Sequence, residues 1–185
     1  MKLGLIGKNI KSSQAPDIHR RLGKLFDIPL TYELFDLKDK NETDFAKLLS
    51  ELKFDGFSGV NITFPFKEIA IKYADKVNKS AYYIKASNTL IFRNNVIAEN
   101  TDYTGFLRNY FFHFKDTKPG KILLIGGGGV GRAITFALGS LGVSHIYLLE
   151  KDNERSNKLI DELRLSNINC SSIDFRELED IINKT

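Results

Sequence analysis

The 185-residue sequence has a single cysteine, Cys170, and only three histidines, and this scarcity removes several classes of protein at once. One cysteine excludes an internal disulfide and any zinc site built from cysteines, and a lone thiol fits a reducing compartment. His19, His113 and His145 lack metal-ligand spacing, so no metal site is expected. Long apolar runs are missing too. The N-terminal MKLGLIGKNI is apolar for a few residues before it turns polar, too short for a signal peptide or a spanning helix, and a soluble, cytoplasmic protein without a membrane partner is expected. Charge of one sign is nowhere concentrated: 27 Lys and Arg stand against 23 Asp and Glu, for a net charge of +4. A nucleic-acid backbone calls for a concentrated basic face, so that partner is not expected, whereas a pocket for a small anion needs no such face. What the chain does have is an apolar content of 42%, enough to fill the core of one ordinary domain or two small ones.

The order of patterns along the chain predicts an α/β fold. KLGLIG reads as a buried strand ending at Gly7, and APDIHRRLGKLF as a helix with Pro16 in its first turn. TYELFDL alternates as a strand does, and ETDFAKLLSELKF has helical spacing with Thr43 as a candidate cap. FSGVNIT is a further buried strand, leading through Pro65 into FKEIAIKYADKV, read as a helix. Strand and helix alternating three times argue for a three-layer α/β unit. Two short strands, SNTLIFR and VIAEN, follow around an Asn94-Asn95 turn, and then comes an aromatic-rich helix, DYTGFLRNYFFHF, whose rings are expected to be buried. The predicted organisation is a substrate-binding and catalytic domain over 1–103, a linking helix over 104–117, and a partial Rossmann nucleotide-binding domain over 118–185.

That last assignment rests on KILLIGGGGVGRAI, where Gly126, Gly128 and Gly131 fall on G-x-G-x-x-G spacing between a strand and a helix. In such a loop the first glycine permits the tight turn, the second lets a pyrophosphate approach the backbone, and the third lets helix and strand pack closely. The N-H groups of the helix start then face the phosphate. Gly126, Gly127, Gly128, Gly129, Val130 and Gly131 are therefore candidate cofactor-binding residues. The strand HIYLLE ends in Glu150 at the interval expected for an acid that binds the adenosine ribose. A carboxylate there favours NAD over NADP by opposing a 2′-phosphate, while Lys151 beside it pulls the other way, so both cofactors stay open with NAD favoured.

Polar residues of the first domain sit at predicted strand ends: SSQAPDIH, VNITFPFK, SNT and ENTD. In α/β sheets, ligands bind at the carboxyl ends of strands. These segments offer hydroxyls, carboxamides, a lysine and an aspartate, a set suited to a polyhydroxylated anionic small molecule. In order and spacing, Ser13-Gln14-Ala15-Pro16 with His19, Asn61 to Lys67, Ser87 to Leu90 and Asn100 to Gly105, followed by the Gly126 to Ala133 loop, resemble the signature segments of the shikimate dehydrogenase family.

The resemblance implies reversible NAD(P)-dependent reduction of 3-dehydroshikimate to shikimate, a step of aromatic amino acid biosynthesis. It assigns Lys67 and Asp102 as the catalytic pair, Ser13 to the substrate carboxylate, and Thr63, Asn88, Thr101 and Asp102 to the rest of the pocket. The residues admit plainer roles as well. Asp102 could cap the aromatic helix, and Asn61, Asn88 and Asn100 could satisfy backbone groups in turns. Ala15 stands where the family carries a second hydroxyl, which leaves shikimate, quinate and related cyclic polyol acids open. Glu150-Lys151-Asp152 replaces the Asn-Arg-Thr of NADP-using relatives. The resemblance also implies further strands and C-terminal helices beyond Thr185, so a shortened chain is expected, one that binds substrate or dinucleotide with weak or no turnover. An open sheet edge leaves homodimer formation open.

Overall fold

The computed structural model describes residues 1–39 and 41–183, so the last two residues of the segment read as a closing strand and helix, Lys184 and Thr185, lie outside the described residues. Two compact units divide the chain, Met1–Thr101 and Asp102–Thr185.

In the first unit, β1 (Lys2–Gly7), α1 (Ala15–Leu25), β2 (Thr31–Asp36), α2 (Glu42–Phe54) and β3 (Gly59–Ile62) alternate as the apolar pattern predicts. α3 (Lys67–Ala70), β4 (Lys76–Val77), α4 (Lys79–Ile84), β5 (Thr89–Phe92) and β6 (Val96–Glu99) follow. The strands form one sheet in the order β2-β1-β3-β5-β6-β4. β1 lies parallel to both β2 and β3, whereas β5 runs antiparallel to β3 and to β6.

Alternation along the strands sends side chains to opposite faces. Ile6, Val60, Ile62, Leu90 and Phe92 join Phe45, Leu49 and Leu52 of α2 in the main core. Leu5 and Tyr32 point the other way and pack with Ile10, Leu3, Ala15, Leu30 and Leu34 on the α1 side. This gives three layers. Phe45 is fully buried and stacks on Phe66 with ring centroids 5.1 Å apart; burying a side chain of that size stabilises by roughly 1.5–3 kcal/mol.

Local chemistry departs from the sequence reading at three places. The stretch from Phe66 to Val77 is not one helix: α3 lasts a single turn, tightens into a 3-10 turn over Ile71–Tyr73, and gives way to β4. The break is fixed by Asp75, whose carboxylate accepts the Val96 N-H at 2.7 Å, and by the parallel pairing of Lys76 and Val77 with Ile97 and Ala98. Those contacts lie far along the chain and leave no local signal. The cap of α2 is Asn41, not Thr43: Asn41 Oδ1 accepts from Thr43 N-H at 2.8 Å and Asp44 N-H at 3.2 Å, and Asp44 returns a bond to the Asn41 N-H at 3.0 Å. The third difference concerns the aromatic helix, α5 (Thr101–Phe114), which has no buried residue; Phe112 is 80% exposed.

The second unit contains β7 (Lys121–Ile125), α6 (Gly129–Ser140), β8 (His145–Leu149), α7 (Asn153–Leu165), β9 (Cys170–Ser172) and α8 (Leu178–Ile182). Its sheet is parallel throughout, in the order β7-β8-β9. Ala133, Phe136 and Ala137 of α6, Ile146 and Leu148 of β8, and Leu159, Ile160 and Leu163 of α7 are buried. No helix among the described residues is long and apolar enough to cross a membrane.

Candidate substrate and dinucleotide sites

Sheet topology gathers the polar segments of the first unit. β1 and β3 are parallel neighbours, so the loops after Gly7 and Ile62 leave the sheet at the same edge, and Lys8 N-H donates to Phe64 O at 2.9 Å between them. Because β5 is antiparallel to β3, its beginning returns to that edge, where Ile62 N-H donates to Asn88 O at 2.8 Å. β6 ends there too, with Asn88 N-H donating to Glu99 O at 3.2 Å. Ser13, Thr63, Lys67, Asn88 and Thr101 thus belong to one edge of the sheet.

Each is held locally. Ser13 Oγ accepts the Ala15 N-H at 3.2 Å, turning the chain into α1. Thr63 follows β3, donates its N-H to Ile6 O at 2.9 Å and accepts the Phe66 N-H at 3.0 Å, closing a turn over the cis Phe64-Pro65 bond. Lys67 opens α3, and its carbonyl accepts the Ser87 N-H at 2.8 Å, which ties that helix to the segment before Asn88. Ser87 is fully buried, with Oγ 2.9 Å from both Thr89 O and Glu99 O. Asn100, also fully buried, donates from Nδ2 to Ala86 O at 2.9 Å, a backbone-satisfying role. Thr101 begins α5 and Asp102 is its next residue, inside the helix rather than ahead of it.

Asn88 is the hub. Its Oδ1 accepts the Thr101 N-H at 2.8 Å and the Thr89 hydroxyl at 3.0 Å, and its Nδ2 donates to Thr101 Oγ1 at 2.9 Å. Thr89 Oγ1 in turn accepts from Asn61 Nδ2 at 3.1 Å, and Asn61 Oδ1 accepts the Tyr32 hydroxyl at 2.8 Å. Tyr32 carries no motif signal, and sequence reasoning missed it. His19 stacks on its ring at 4.3 Å while placing Nδ1 2.8 Å from Ala15 O, a packing role consistent with the absence of ligand spacing. Burial pushes the Tyr32 hydroxyl up to about 12. Asn61, Thr89 and Thr101 line a groove of about 620 Å³ with His19, Leu3 and Ile91; Ser13, Thr63 and Lys67 do not line it.

In the second unit, β7 runs into the glycine loop. Gly126 has φ +95°, a left-handed conformation that favours glycine, and its N-H donates to Leu149 O at 2.8 Å. A Cβ on Gly131 would lie 2.0 Å from the Gly126 carbonyl oxygen, so only glycine lets the helix start pass this close to the turn. A Cβ on Gly128 would meet nothing within 4 Å, leaving the backbone open to an approaching group. Gly128 caps α6, and Gly129, Val130 and Gly131 form its first turn, where N-H groups lack partners within the helix.

Glu150, at the end of β8, turns its carboxylate back onto this loop. Oε2 accepts the Gly127 N-H at 2.7 Å, Oε1 accepts the Asp152 N-H at 3.0 Å, and Arg155 approaches Oε1 at 3.7 Å. The Asp152 and Gly127 N-H bonds and the nearby Arg155 charge hold its carboxyl below the ordinary carboxylate value against the opposing effect of burial. Lys151 is exposed. Arg155, a second cation beside Glu150, was not singled out from the sequence; its place in the first turn after the Asp152 cap was the available signal. Among the described residues, no group of His, Cys, Asp and Glu could hold a metal ion.

A mixed sheet with hydroxyls, carboxamides and a lysine along one edge, followed by a parallel sheet with a glycine turn and a strand-end acid, defines an α/β chain of substrate-domain-then-Rossmann order. Residues 5–90 match the model of the shikimate dehydrogenase substrate binding domain. A shikimate dehydrogenase (NADP(+)) of Clostridium botulinum is 35% identical over 167 residues, covering 89% of this chain and 64% of that protein. A quinate/shikimate dehydrogenase (NAD(+)) of Corynebacterium glutamicum is 30% identical over 186 residues, covering 97% and 66%. The structure of quinate dehydrogenase from Corynebacterium glutamicum in complex with NAD superposes with a TM-score of 0.86 at 28% identity, over 98% of this chain and 67% of that one. The chain belongs to the shikimate dehydrogenase family. It spans a little under two thirds of the Clostridium relative's length.

Proposed function

We propose that the chain carries the substrate site and the adenosine half of the cofactor site of a shikimate dehydrogenase-like oxidoreductase, which reversibly reduces 3-dehydroshikimate to shikimate. The observation that carries this reading is the gathering of Ser13, Thr63, Lys67, Asn88 and Thr101 at one sheet edge. In this reading residues 1–103 bind substrate, 104–117 link, and 118–185 bind the dinucleotide. A cytoplasmic location goes with it, where the buried Cys170 thiol stays reduced.

The glycine loop fits a nicotinamide dinucleotide: the close pass at Gly131 and the open approach at Gly128 form a cradle that side chains would fill. Such a cofactor supplies the hydride when bound. The Lys67 ammonium stabilises the negative charge that develops on the substrate oxygen and gives it a proton, and the Asp102 carboxylate orients the lysine. Ser13 and Thr63 offer hydroxyls to the carboxylate and ring oxygens, and Asn88 and Thr101 complete the pocket. Gly126 to Gly131 hold the pyrophosphate, and Glu150 with Lys151 borders the ribose. NAD is favoured over NADP, because an ionised carboxylate tied down beside the loop opposes a 2′-phosphate.

The test is a titration of the purified chain with shikimate and with quinate, followed by NMR, together with a reduced-nicotinamide absorbance assay using NAD and NADP. Saturable shikimate binding and any shikimate-dependent absorbance rise are expected. A chain that binds neither acid refutes the reading. Tighter binding of quinate would move the assignment to the quinate side, to which Ala15 is open because it offers no hydroxyl where the family carries one.

A further inference from the structure

The hydrogen bonds around Asn88 form a chain in which the donors face one way. Tyr32 Oη donates to Asn61 Oδ1 at 2.8 Å, Asn61 Nδ2 to Thr89 Oγ1 at 3.1 Å, Thr89 Oγ1 to Asn88 Oδ1 at 3.0 Å, and Asn88 Nδ2 to Thr101 Oγ1 at 2.9 Å. The sheet builds this path: Asn61 and Thr89 are directly paired across β3 and β5, and Tyr32 reaches Asn61 from β2 across the intervening β1.

A carboxamide can turn over and exchange its oxygen for its NH₂, and the network decides which way it sits. The polarity is set where Asn88 meets the backbone N-H of Thr101, because that group can only donate; a phenol can donate or accept, and with the Asn88 oxygen held this way the Tyr32 hydrogen falls to the Asn61 oxygen. Asn61 then has only N-H to offer Thr89, whose own hydrogen is directed to Asn88. The Asn88 oxygen also takes the backbone N-H of Thr101 at 2.8 Å, a donor that cannot be reversed. With its oxygen engaged and one Nδ2 hydrogen given to Thr101, Asn88 retains a second Nδ2 hydrogen that has no acceptor among the described residues.

We propose that Tyr32, Asn61 and Thr89 are positioning residues that lock the orientation of the Asn88 carboxamide, so that position 88 offers a ligand an N-H donor and selects an acceptor oxygen. The proposal rests on the substrate-site reading above in taking that ligand to be a cyclic polyol acid. Tyr32 stays protonated at any pH of interest, since burial drives its ionisation far upward, and the chain keeps its direction. Linked hydrogen bonds of one direction polarise and strengthen one another, so a break at the remote end is felt at Asn88.

The experiment compares Thr89→Val, Thr89→Ser and Tyr32→Phe with the wild-type chain by two readouts. The first is the pair of Asn88 side-chain NH₂ resonances without ligand, with their hydrogen-exchange rates; the second is the dissociation constant for shikimate. Thr89→Val keeps the shape and removes the hydroxyl, so it should shift the Asn88 pair, speed its exchange and weaken shikimate about fivefold, the value of one hydrogen bond. Thr89→Ser should restore both readouts. Tyr32→Phe should move the Asn88 resonances from two side chains away, and it serves as the test if Thr89→Val does not fold. An unmoved Asn88 pair in Thr89→Val and Tyr32→Phe overturns the proposal, as does unchanged shikimate affinity in Thr89→Val, or a Thr89→Ser chain as impaired as the valine variant. If the wild type binds no shikimate, the substrate reading fails by itself, and the ligand-free resonances decide whether the lock exists.

Discussion

Glu150→Gln separates the structural from the selective role of the strand-end acid. In the wild type both carboxylate oxygens accept backbone N-H groups, from Gly127 at 2.7 Å and Asp152 at 3.0 Å, and the side chain is 5% exposed. Glutamine has one acceptor oxygen, so it can satisfy one of these donors while its NH₂ faces the other. Leaving a buried donor unsatisfied costs about 1–3 kcal/mol. At about 2 kcal/mol, a unit the size of Asp102–Thr185 loses roughly 8–16 °C in Tm.

The pH dependence has a definite sign. The Glu150 carboxyl is held below its ordinary value, so its stabilisation is present above the unfolded carboxyl value and is lost as pH falls through the folded one. The Tm gap between wild type and variant should be constant near neutrality and close under acid. Selectivity is the second readout. A loosened loop weakens NAD and NADP alike, but removing the negative charge relieves only the cofactor with a 2′-phosphate. The NADP-to-NAD affinity ratio, measured by fluorescence titration of the reduced forms, should rise about tenfold for about 1.4 kcal/mol of relieved repulsion. A lower Tm with an unchanged ratio would refute the selective role and leave Glu150 as a loop tether.

Gly131→Ala places a methyl group 2.0 Å from the Gly126 carbonyl, so the turn must move; a loss of about 1–3 kcal/mol is expected in melts, with dinucleotide binding abolished in fluorescence titration. Lys67→Ala should lower any shikimate-dependent absorbance rate by about 10²–10⁴ while NMR shows shikimate binding retained, and an unchanged rate removes the proton-donor role. Asn41→Ala removes the reciprocal cap of α2 and should cost about 1 kcal/mol, read as a shift of the first unit's denaturant midpoint. In the second unit, the buried guanidinium of Arg132 pairs with Glu162; Arg132→Met alone should cost about 3–5 kcal/mol, and adding Glu162→Leu should recover most of that loss in the same melt.

Much of the fold was legible because its signals are local. Alternation in TYELFDL, helical spacing in ETDFAKLLSELKF and the glycine spacing after KILLI each act within a few residues, and β2, α2 and the β7-to-α6 turn form where those patterns lie. The run from Phe66 to Val77 looked helical because its local spacing is helical, but Asp75 is claimed by Val96 and β4 by β6, through contacts of tertiary origin. The aromatics of α5 show the opposite limit. Apolar side chains at helical spacing announce a face that can be buried, yet burial requires a partner surface, and the described residues leave Phe111, Phe112 and Phe114 between 50% and 80% exposed.

The candidate site divides along the same line. Asn88, Thr101 and Lys67 could be named because each sits in a short segment whose order and spacing carry meaning. Tyr32 could not: its link to Asn61 spans 29 residues and exists only because β1 intervenes between β2 and β3, with Leu3 registering against both Tyr32 and Gly59. A segment shows which groups are available for chemistry, whereas the partners of a carboxamide come from elsewhere in the fold, here the Thr101 N-H at the start of α5 and the Thr89 hydroxyl in the sheet. Glu150 makes the same point in the second unit. Spacing marks it as a candidate ribose-binding acid, but its engagement by the Gly127 and Asp152 N-H groups follows from the turn geometry at Gly126 and from the cap at the start of α7. A substitution at Tyr32 or Arg155 therefore reaches Asn61 or Glu150 through a contact rather than through adjacent sequence, and the Asn88 resonances and the dinucleotide affinity ratio are the measurements that would read its effect on a ligand.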